Sequence, residues 1–295
     1  MKKFHRVAVM YGGPSNERDV SRASGMAISK ALKEKNYDVV EMDLPGREVF
    51  MPAAIEAAFI AMHGTFGEDG ELQTILAKKG IPYTGSGPAA SRAAFDKVVS
   101  KKIFERAGIN CPRYEILKKG MKRTIGLPAV VKPPREGSSV GLTCVRDEKD
   151  WSEALKRAFE IDSEALVETF IEGRELTIGI VGDEVLPVIE IRPKGGVYDY
   201  EHKYTKGKTE YLCPAPITTE ESRQCQELAW RTFEALGCRG LGRVDIRLTP
   251  DNVPFVLEMN TIPGFTETSL LPKAAKAVGI EFGDLCERIL NLAAV

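Results

Sequence analysis

Apolar and polar residues come in blocks along this chain, and the period within a block changes from one to the next. Val7-Ala-Val-Met10 is an unbroken apolar run stopped by Gly12-Gly13, the pattern of a strand buried on both faces. Ala23, Ala27, Ile28, Ala31 and Leu32 then recur at helical spacing. Strands over residues 38–44 and 57–62, a helix over 71–79 and a strand over 81–84 follow. Strands alternating with helices predict a parallel sheet covered on both faces, an α/β arrangement. Ligands meet such sheets at the loops beyond the strands' carboxyl ends, here residues 12–17 and 63–69.

A second unit opens near Phe95 with a helix over 96–107. A strand over 127–132, a loop through Gly141, a strand over 142–145, a helix over 151–159 and a strand over 165–170 complete it. In a third unit, strands over 174–181 and 184–191 flank Gly182-Asp183, a hairpin signal. The polar stretch 193–216 reads as a long loop of the kind that forms lids. A helix over 220–236, a second hairpin and a helix over 282–292 finish the chain. The divisions expected are 1–93, 94–173 and 174–295.

The second hairpin carries the chemistry. Gly-Arg243-Val-Asp245-Ile-Arg247-Leu248 and Val253-Pro-Phe-Val-Leu-Glu258-Met-Asn260 both have strand periodicity, and Thr249-Pro250-Asp251-Asn252 between them has turn chemistry. A symmetric four-residue loop sets Leu248 opposite Val253 and Arg243 opposite Glu258. Arg243, Asp245, Glu258 and Asn260 then share one face, with Val244, Ile246, Phe255 and Leu257 on the other. Two carboxylates and an amide oxygen beside an arginine suit a hard cation such as Mg²⁺, with phosphate completing the shell. The inference depends on register, because a one-residue bulge would split the cluster. The alternative is a solvated strand face whose charges pair with one another.

Hydrophobic residues make up 43% and charged residues 28% of the 295 positions, ordinary for a globular protein of two or three domains. Lys plus Arg number 41 against 42 acidic residues, so charge gives no support to nucleic-acid or membrane-surface partners. The six cysteines show no C-x-x-C spacing and there are three histidines, which argues against zinc and disulfides and fits a cytoplasmic setting. The apolar run after Met-Lys-Lys is too short for a signal peptide, and no stretch reaches the ~20 apolar residues of a membrane span.

Gly85-Ser-Gly87-Pro-Ala-Ala90 matches the loose dinucleotide fingerprint, but Pro88 lacks a backbone donor and the motif ends a βαβ series, so a turn between units fits better. No Walker A sequence occurs. Val131-Lys132 followed by Gly137-Ser138-Ser139-Val-Gly141 offers a lysine, backbone N–H groups and hydroxyls to an anion; the alternative is a surface hairpin.

These segments together resemble the ATP-grasp superfamily and, within it, the D-alanine–D-alanine ligases. The resemblance runs from Val7 to about Leu292, through Gly12-Gly13-Pro-Ser-Asn-Glu17, His63-Gly64, Asp96-Lys97, Val131-Lys132, Glu172-Gly-Arg-Glu175, Lys203-Tyr204, Gly242-Arg-Val-Asp245 and Glu258-Met-Asn260-Thr-Ile-Pro-Gly264. It implies a three-domain ATP-grasp fold with an N-terminal Rossmann-like parallel sheet and a lid near 193–216. It also implies ATP-dependent joining of two D-alanines through an acyl phosphate, for peptidoglycan precursors, in a cytoplasmic homodimer. Lys97, Lys132 and Lys203 would hold phosphates, Glu168 and Ile171 the adenine, and Glu175 the ribose. Asp245, Glu258 and Asn260 would bind two Mg²⁺, with Mn²⁺ as a substitute. Glu17 and His63 would receive the first D-alanine, Ser269 and Leu270 the second. Arg243 and the backbone of Gly264 would face the oxyanion, and Ser138 and Tyr204 would join Glu17 in a proton-handling network. The Lys203-Tyr204 pair matches the dipeptide-forming type rather than relatives that make D-alanyl-D-lactate, whereas Thr169 stands where some members carry lysine. Two alternatives are another ATP-grasp carboxylate–amine ligase and a nucleotide sensor without catalysis.

Overall fold

The computed structural model describes residues 3–194 and 208–295. Strand β1 (Arg6–Gly12) lies between β2 (Asp38–Leu44) and β3 (Ala57–Ile60), parallel to both. Val7, Val9 and Phe59 pack with Ile28 and Leu32 of α1 (Arg18–Glu34) on one face. Ala8, Met10 and Ile60 pack with Leu72 and Leu76 of α2 (Glu71–Lys78) on the other. Two covered faces explain why β1 is apolar from Val7 to Tyr11 rather than alternating. The strand expected over 81–84 is reduced to Tyr83, which bridges Ala58 on one side and Ala294 on the other. Pro82 has no N–H to extend that ladder. Beyond it, Gly87 precedes helix α3 (Pro88–Phe95), whose first residue is the proline.

The second layer is an antiparallel sheet ordered β4 (Tyr114–Lys118), β7 (Glu164–Thr169), β5 (Ala129–Lys132), β6 (Thr143–Val145). Helix α5 (Trp151–Ile161) closes one face, with Ala154 and Ala158 against Val131 and Val167. The third layer runs β11 (Thr209–Leu212), β10 (Ile189–Pro193), β8 (Arg174–Val181), β12 (Leu241–Leu248), β13 (Pro254–Asn260), all antiparallel, with the short β9 (Glu184–Val185) beside β8. Helix α6 (Thr219–Ala235) lays Cys225, Leu228, Ala229 and Phe233 on Ile178, Val244, Ile246 and Val256. A capping box starts it: Thr218 Oγ1 accepts from Glu221 N–H, and the Glu221 carboxylate accepts from Thr218 N–H. The expected loop 193–216 is therefore too long, because Thr209-Glu-Tyr-Leu212 pairs with β10 as β11. Helices α7 (Leu270–Ala277) and α8 (Phe282–Asn291) return to the first layer, where Leu285 and Ile289 join the core around α1. Among the described residues no helix is long and apolar enough to cross a membrane.

Candidate active site between two sheets

A pocket opens between the second and third sheets, walled by Lys132, Glu168 and Ile171 on one side and Glu175, Asp245, Arg247 and Glu258 on the other. The acidic wall is set by strand register. Asp245 lies directly opposite Glu258, and Arg243 opposite Asn260. On its other edge β12 pairs with β8, which places Thr177 beside Asp245 and Glu175 beside Arg247.

This register corrects the sequence reading. Leu248 pairs with Pro254, so the turn holds one residue more than expected. Between Asp245–Glu258 and Ile246–Val256 the ladder shifts again, leaving Leu257 as an unpaired bulge residue. Val256, not Phe255 or Leu257, therefore faces the buried layer with Val244 and Ile246. Phe255 sits opposite Arg247, and Leu257 lines the pocket. The carboxylates still share a face.

Asp245 is held by four donors. Arg243 Nε and Nη2 donate to its two oxygens at 2.9 and 2.8 Å, Thr177 Oγ1 donates to Oδ1 at 2.6 Å, and Asn260 Nδ2 to Oδ2 at 3.1 Å. Glu258 meets Lys97 Nζ at 3.3 Å, and the same ammonium donates to the Glu136 carbonyl at 2.6 Å. Lys97 owes its place to Asp96, whose carboxylate caps α4 (Lys97–Arg106) by accepting from the N–H groups of Val98 and Val99. Asp245 faces Arg243 and Glu258 faces Lys97, and hard oxygen donors on such a two-stranded register are chemically suited to Mg²⁺. Only two of the three side chains are carboxylates, and among the described residues no cluster of three His, Cys, Asp or Glu has metal-ligand geometry. Phosphate and water would have to complete a shell here.

The opposite wall is basic. Glu168 is buried and flanked by Lys101 Nζ at 2.5 Å and Lys132 Nζ at 2.7 Å. Burial pushes the Glu168 carboxyl up, but the two ammonium groups outweigh it and hold its pKa below the ordinary value. Burial likewise favours neutral Lys132, and Glu168 and Glu258 more than reverse that. At the far end Arg247 Nη2 donates to Glu175 at 2.9 Å and its Nη1 to the Gly173 carbonyl.

The connection between β5 and β6 is a hairpin, as the alternative reading had it, and it also reaches into the site. Ser138 and Ser139 take left-handed φ of +50° and +59°, and the Ser138 hydroxyl donates to Glu17. A Cβ on Gly137 would lie 2.8 Å from Glu17 Oε2, so a side chain there would push the Glu17 carboxylate aside. His63 is buried nearby, its Nδ1 2.9 Å from the Ile262 carbonyl and Nε2 3.0 Å from Ser24 Oγ. Burial lowers its basicity, yet the carboxylates of Glu68 and Glu17 raise its pKa on balance. Gly264 precedes a turn in which Thr266 N–H donates to Ser269 Oγ at 2.9 Å, and Leu270 opens α7 directly after it. Lys203 and Tyr204 lie outside the described residues.

A family model described as D-ala D-ala ligase C-terminus matches residues 97–291. The chain belongs to the D-alanine–D-alanine ligase family. A curated D-alanine–D-alanine ligase from Methylacidiphilum infernorum is 46% identical over 97% of this chain and 94% of its own length. One from Syntrophotalea carbinolica is 49% identical over 97% and 95%. Among solved structures, a D-alanine–D-alanine ligase from Bacillus anthracis complexed with ATP superposes with a TM-score of 0.86 at 33% identity, covering 98% of this chain and 97% of that one. The VanG D-Ala:D-Ser ligase from Enterococcus faecalis also reaches 0.86, at 29% identity, covering 98% and 99%. The fold is thus the three-layer ATP-grasp arrangement of D-alanine–D-alanine ligases, with a parallel sheet at its N-terminus.

Several partners escaped the sequence reading. Lys101 follows Lys97 by one helical turn, so helix periodicity could have paired them. Thr177 and Arg247 are visible only once β8 is registered against β12. Glu68, 3.6 Å from His63, stands in the Gly67-Glu68-Asp69-Gly70 run of the resemblance but was given no role of its own.

Proposed function

We propose that this protein uses ATP to join two D-alanines into D-alanyl-D-alanine. A carboxylate is a poor acyl donor, so its oxygen first attacks the γ-phosphorus of ATP, giving D-alanyl phosphate and ADP. The amine of a second D-alanine then attacks the acyl carbon, and phosphate leaves. In this reading Glu175 and Ile171 receive the ribose and adenine, Glu168 the base edge, and Lys97, Lys132 and Lys203 the phosphates. Asp245, Glu258 and Asn260 would hold two Mg²⁺, with Mn²⁺ able to replace it. That metal supplies positive charge against the phosphate oxygens.

Glu17 and His63 take the ammonium end of the first D-alanine. Ser269 and Leu270 take the second. Arg243, fixed by its clamp on Asp245, and the N–H of Gly264 face the oxyanion of the tetrahedral intermediate with little reorganisation left to make. Ser138 with Tyr204 relays a proton through Glu17. The acyl phosphate hydrolyses if wet, which gives the segment around Lys203-Tyr204 a covering role. The enzyme works in the cytoplasm as a homodimer, and its product enters peptidoglycan precursors.

The observation that carries this reading is one pocket whose acidic wall presents Asp245 and Glu258 and whose basic wall presents Lys132. The test is phosphate release from ATP with the product identified by mass spectrometry. Release should need D-alanine and Mg²⁺ together, L-alanine should not replace D-alanine, and D-lactate should be a poor second substrate. Equal turnover with D-lactate would contradict the dipeptide assignment, and nucleotide binding with no product would favour a sensor.

A further inference from the structure

Lys101 is fully buried and has no part in the reaction just described. A buried ammonium is costly unless it is paired with an opposite charge, and here the partner is Glu168. Glu168 has one negative charge and two ammonium neighbours, one on each oxygen. The neighbours differ in what else they can reach. Lys132 lines the pocket, so an incoming triphosphate competes for it. Lys101 points from α4 at the closed side of Glu168, its Nζ 5.5 Å from the centre of the Tyr114 ring. Nothing entering the pocket displaces it.

We propose that Lys101 is a positioning residue that keeps Glu168 an ionised, acceptor-only group facing the nucleotide base, and so selects a 6-amino purine over a 6-oxo purine. The inference rests on the proposed placement of adenine beside Glu168. An adenine 6-amino group donates to a carboxylate, whereas the 6-oxo group of inosine or guanine sets acceptor against acceptor. A protonated Glu168 would lose that discrimination, because its O–H can donate to a 6-oxo group.

The groups around Glu168 leave Lys101 as the control. Across β4 stand Tyr114, whose hydroxyl donates to Glu105, and the preceding Cys111; Glu258 acts on Lys132. Burial pushes Cys111 up, and Tyr114 up to about 12, so both stay neutral near neutral pH. Burial alone would raise Glu168, and the lysines are what reverse it. Without Lys101, and with Lys132 drawn to phosphate, Glu168 would bind a proton as pH falls.

The experiment compares the full-length enzyme with Lys101→Met, measuring KM for ATP and for ITP from mildly acidic to mildly alkaline pH. In the wild type the ATP-over-ITP preference should be independent of pH. In Lys101→Met, KM for ATP should rise about ten-fold on acidification, equivalent to about 1.4 kcal/mol. The preference for ATP should shrink by a similar factor while kcat changes less. Lys101→Arg, which keeps the charge, should restore the flat profile. If Lys101→Met does not fold, Lys101→Gln, which keeps a donor without the charge, carries the same expectation. A soluble neutral variant with wild-type pH independence and nucleotide preference overturns the proposal. A wild type that makes no dipeptide overturns the ligase reading instead, and direct titration with ATP and ITP then still reads Lys101.

Discussion

Replacing Asp245 by asparagine separates the structural load on this residue from its chemical one. The carboxylate accepts from Arg243 twice, from Thr177 and from Asn260. An amide keeps one oxygen for two of these donors and turns an NH₂ toward the others. Hydrogen bonds to a charged group are worth about 1.5–3 kcal/mol each, and breaking a buried ion pair costs about 3–5 kcal/mol. Two facts pull the expected value down. The Arg243 side chain keeps 16% of its surface exposed, so water recovers part of its charge, and the Asn260 amide can turn its oxygen to the new NH₂. The net expectation is about 2–3 kcal/mol of destabilisation. Thr177→Val, which removes one donor to the charged carboxylate, should cost about 1.5 kcal/mol or more.

The assay is denaturant unfolding, with midpoints compared at unchanged slope, alongside phosphate release. Turnover of Asp245→Asn should fall about a hundred-fold or more, the scale of losing one preorganised charge from a transition state. A double-mutant cycle with Arg243→Met should show a coupling of about 1 kcal/mol or more. A stability loss within about 0.5 kcal/mol, the range of ordinary surface changes, would mean that the four-donor clamp is not formed.

Glu258→Ala removes the carboxylate facing Lys97 and a proposed magnesium ligand, so turnover should vanish while the unfolding midpoint moves by about 1 kcal/mol or less; wild-type turnover would take Glu258 out of the site. Gly173→Ala should lower stability by about 2 kcal/mol or more, seen as a fall in Tm, because φ is +139° and the new Cβ would lie 2.0 Å from the Leu248 carbonyl oxygen. Gly46→Ala, where nothing lies within 4 Å, should leave Tm unchanged. The stability gap between wild type and Glu168→Gln should be flat from mildly acidic to mildly alkaline pH and narrow at both ends. Glu168 titrates below 4.5 in the fold, so its contribution is present above 4.5 and lost as pH falls through the lowered value. Lys132 titrates above 10.5, so its contribution is present below 10.5 and lost as pH rises through the raised value. A gap that widened on acidification would contradict both directions.

Elements with a strong period and a clear stop were legible in the chain itself. Strand β2 ends where expected, and α4, α5, α6 and α8 agree to within two residues at each end. Elements whose partners are distant in sequence were not. Strand β4 has no alternation that separates it from loop, and it exists because β7, some fifty positions later, offers a ladder. Strand β11 was hidden in a polar stretch for the same reason, with β10 as its template. Tyr83 shows the converse: a short apolar run read as a strand forms only bridges, since Pro82 cannot donate and Ala294 from the end of the chain occupies its other side.

The residues of the acidic wall were singled out through a register that was wrong at two places. The turn after β12 holds one more residue than a symmetric loop would, which by itself sends Asp245 and Glu258 to opposite faces. The unpaired Leu257 shifts the ladder once more and brings them back. Strand faces depend only on parity, so two single-residue shifts restore the face while moving each partner by two positions. That movement has chemical content. Glu258 ends opposite Asp245 rather than Arg243, which puts two carboxylates side by side where one cation could bridge them. Arg243 is released from a cross-strand ion pair and clamps Asp245 along its own strand instead. The bulge also turns Leu257 into the pocket and Val256 into the core. A bulge beside a site re-aims side chains, and here it sets Glu258 beside Asp245, with Arg243 left to brace Asp245 and Lys97 to face Glu258.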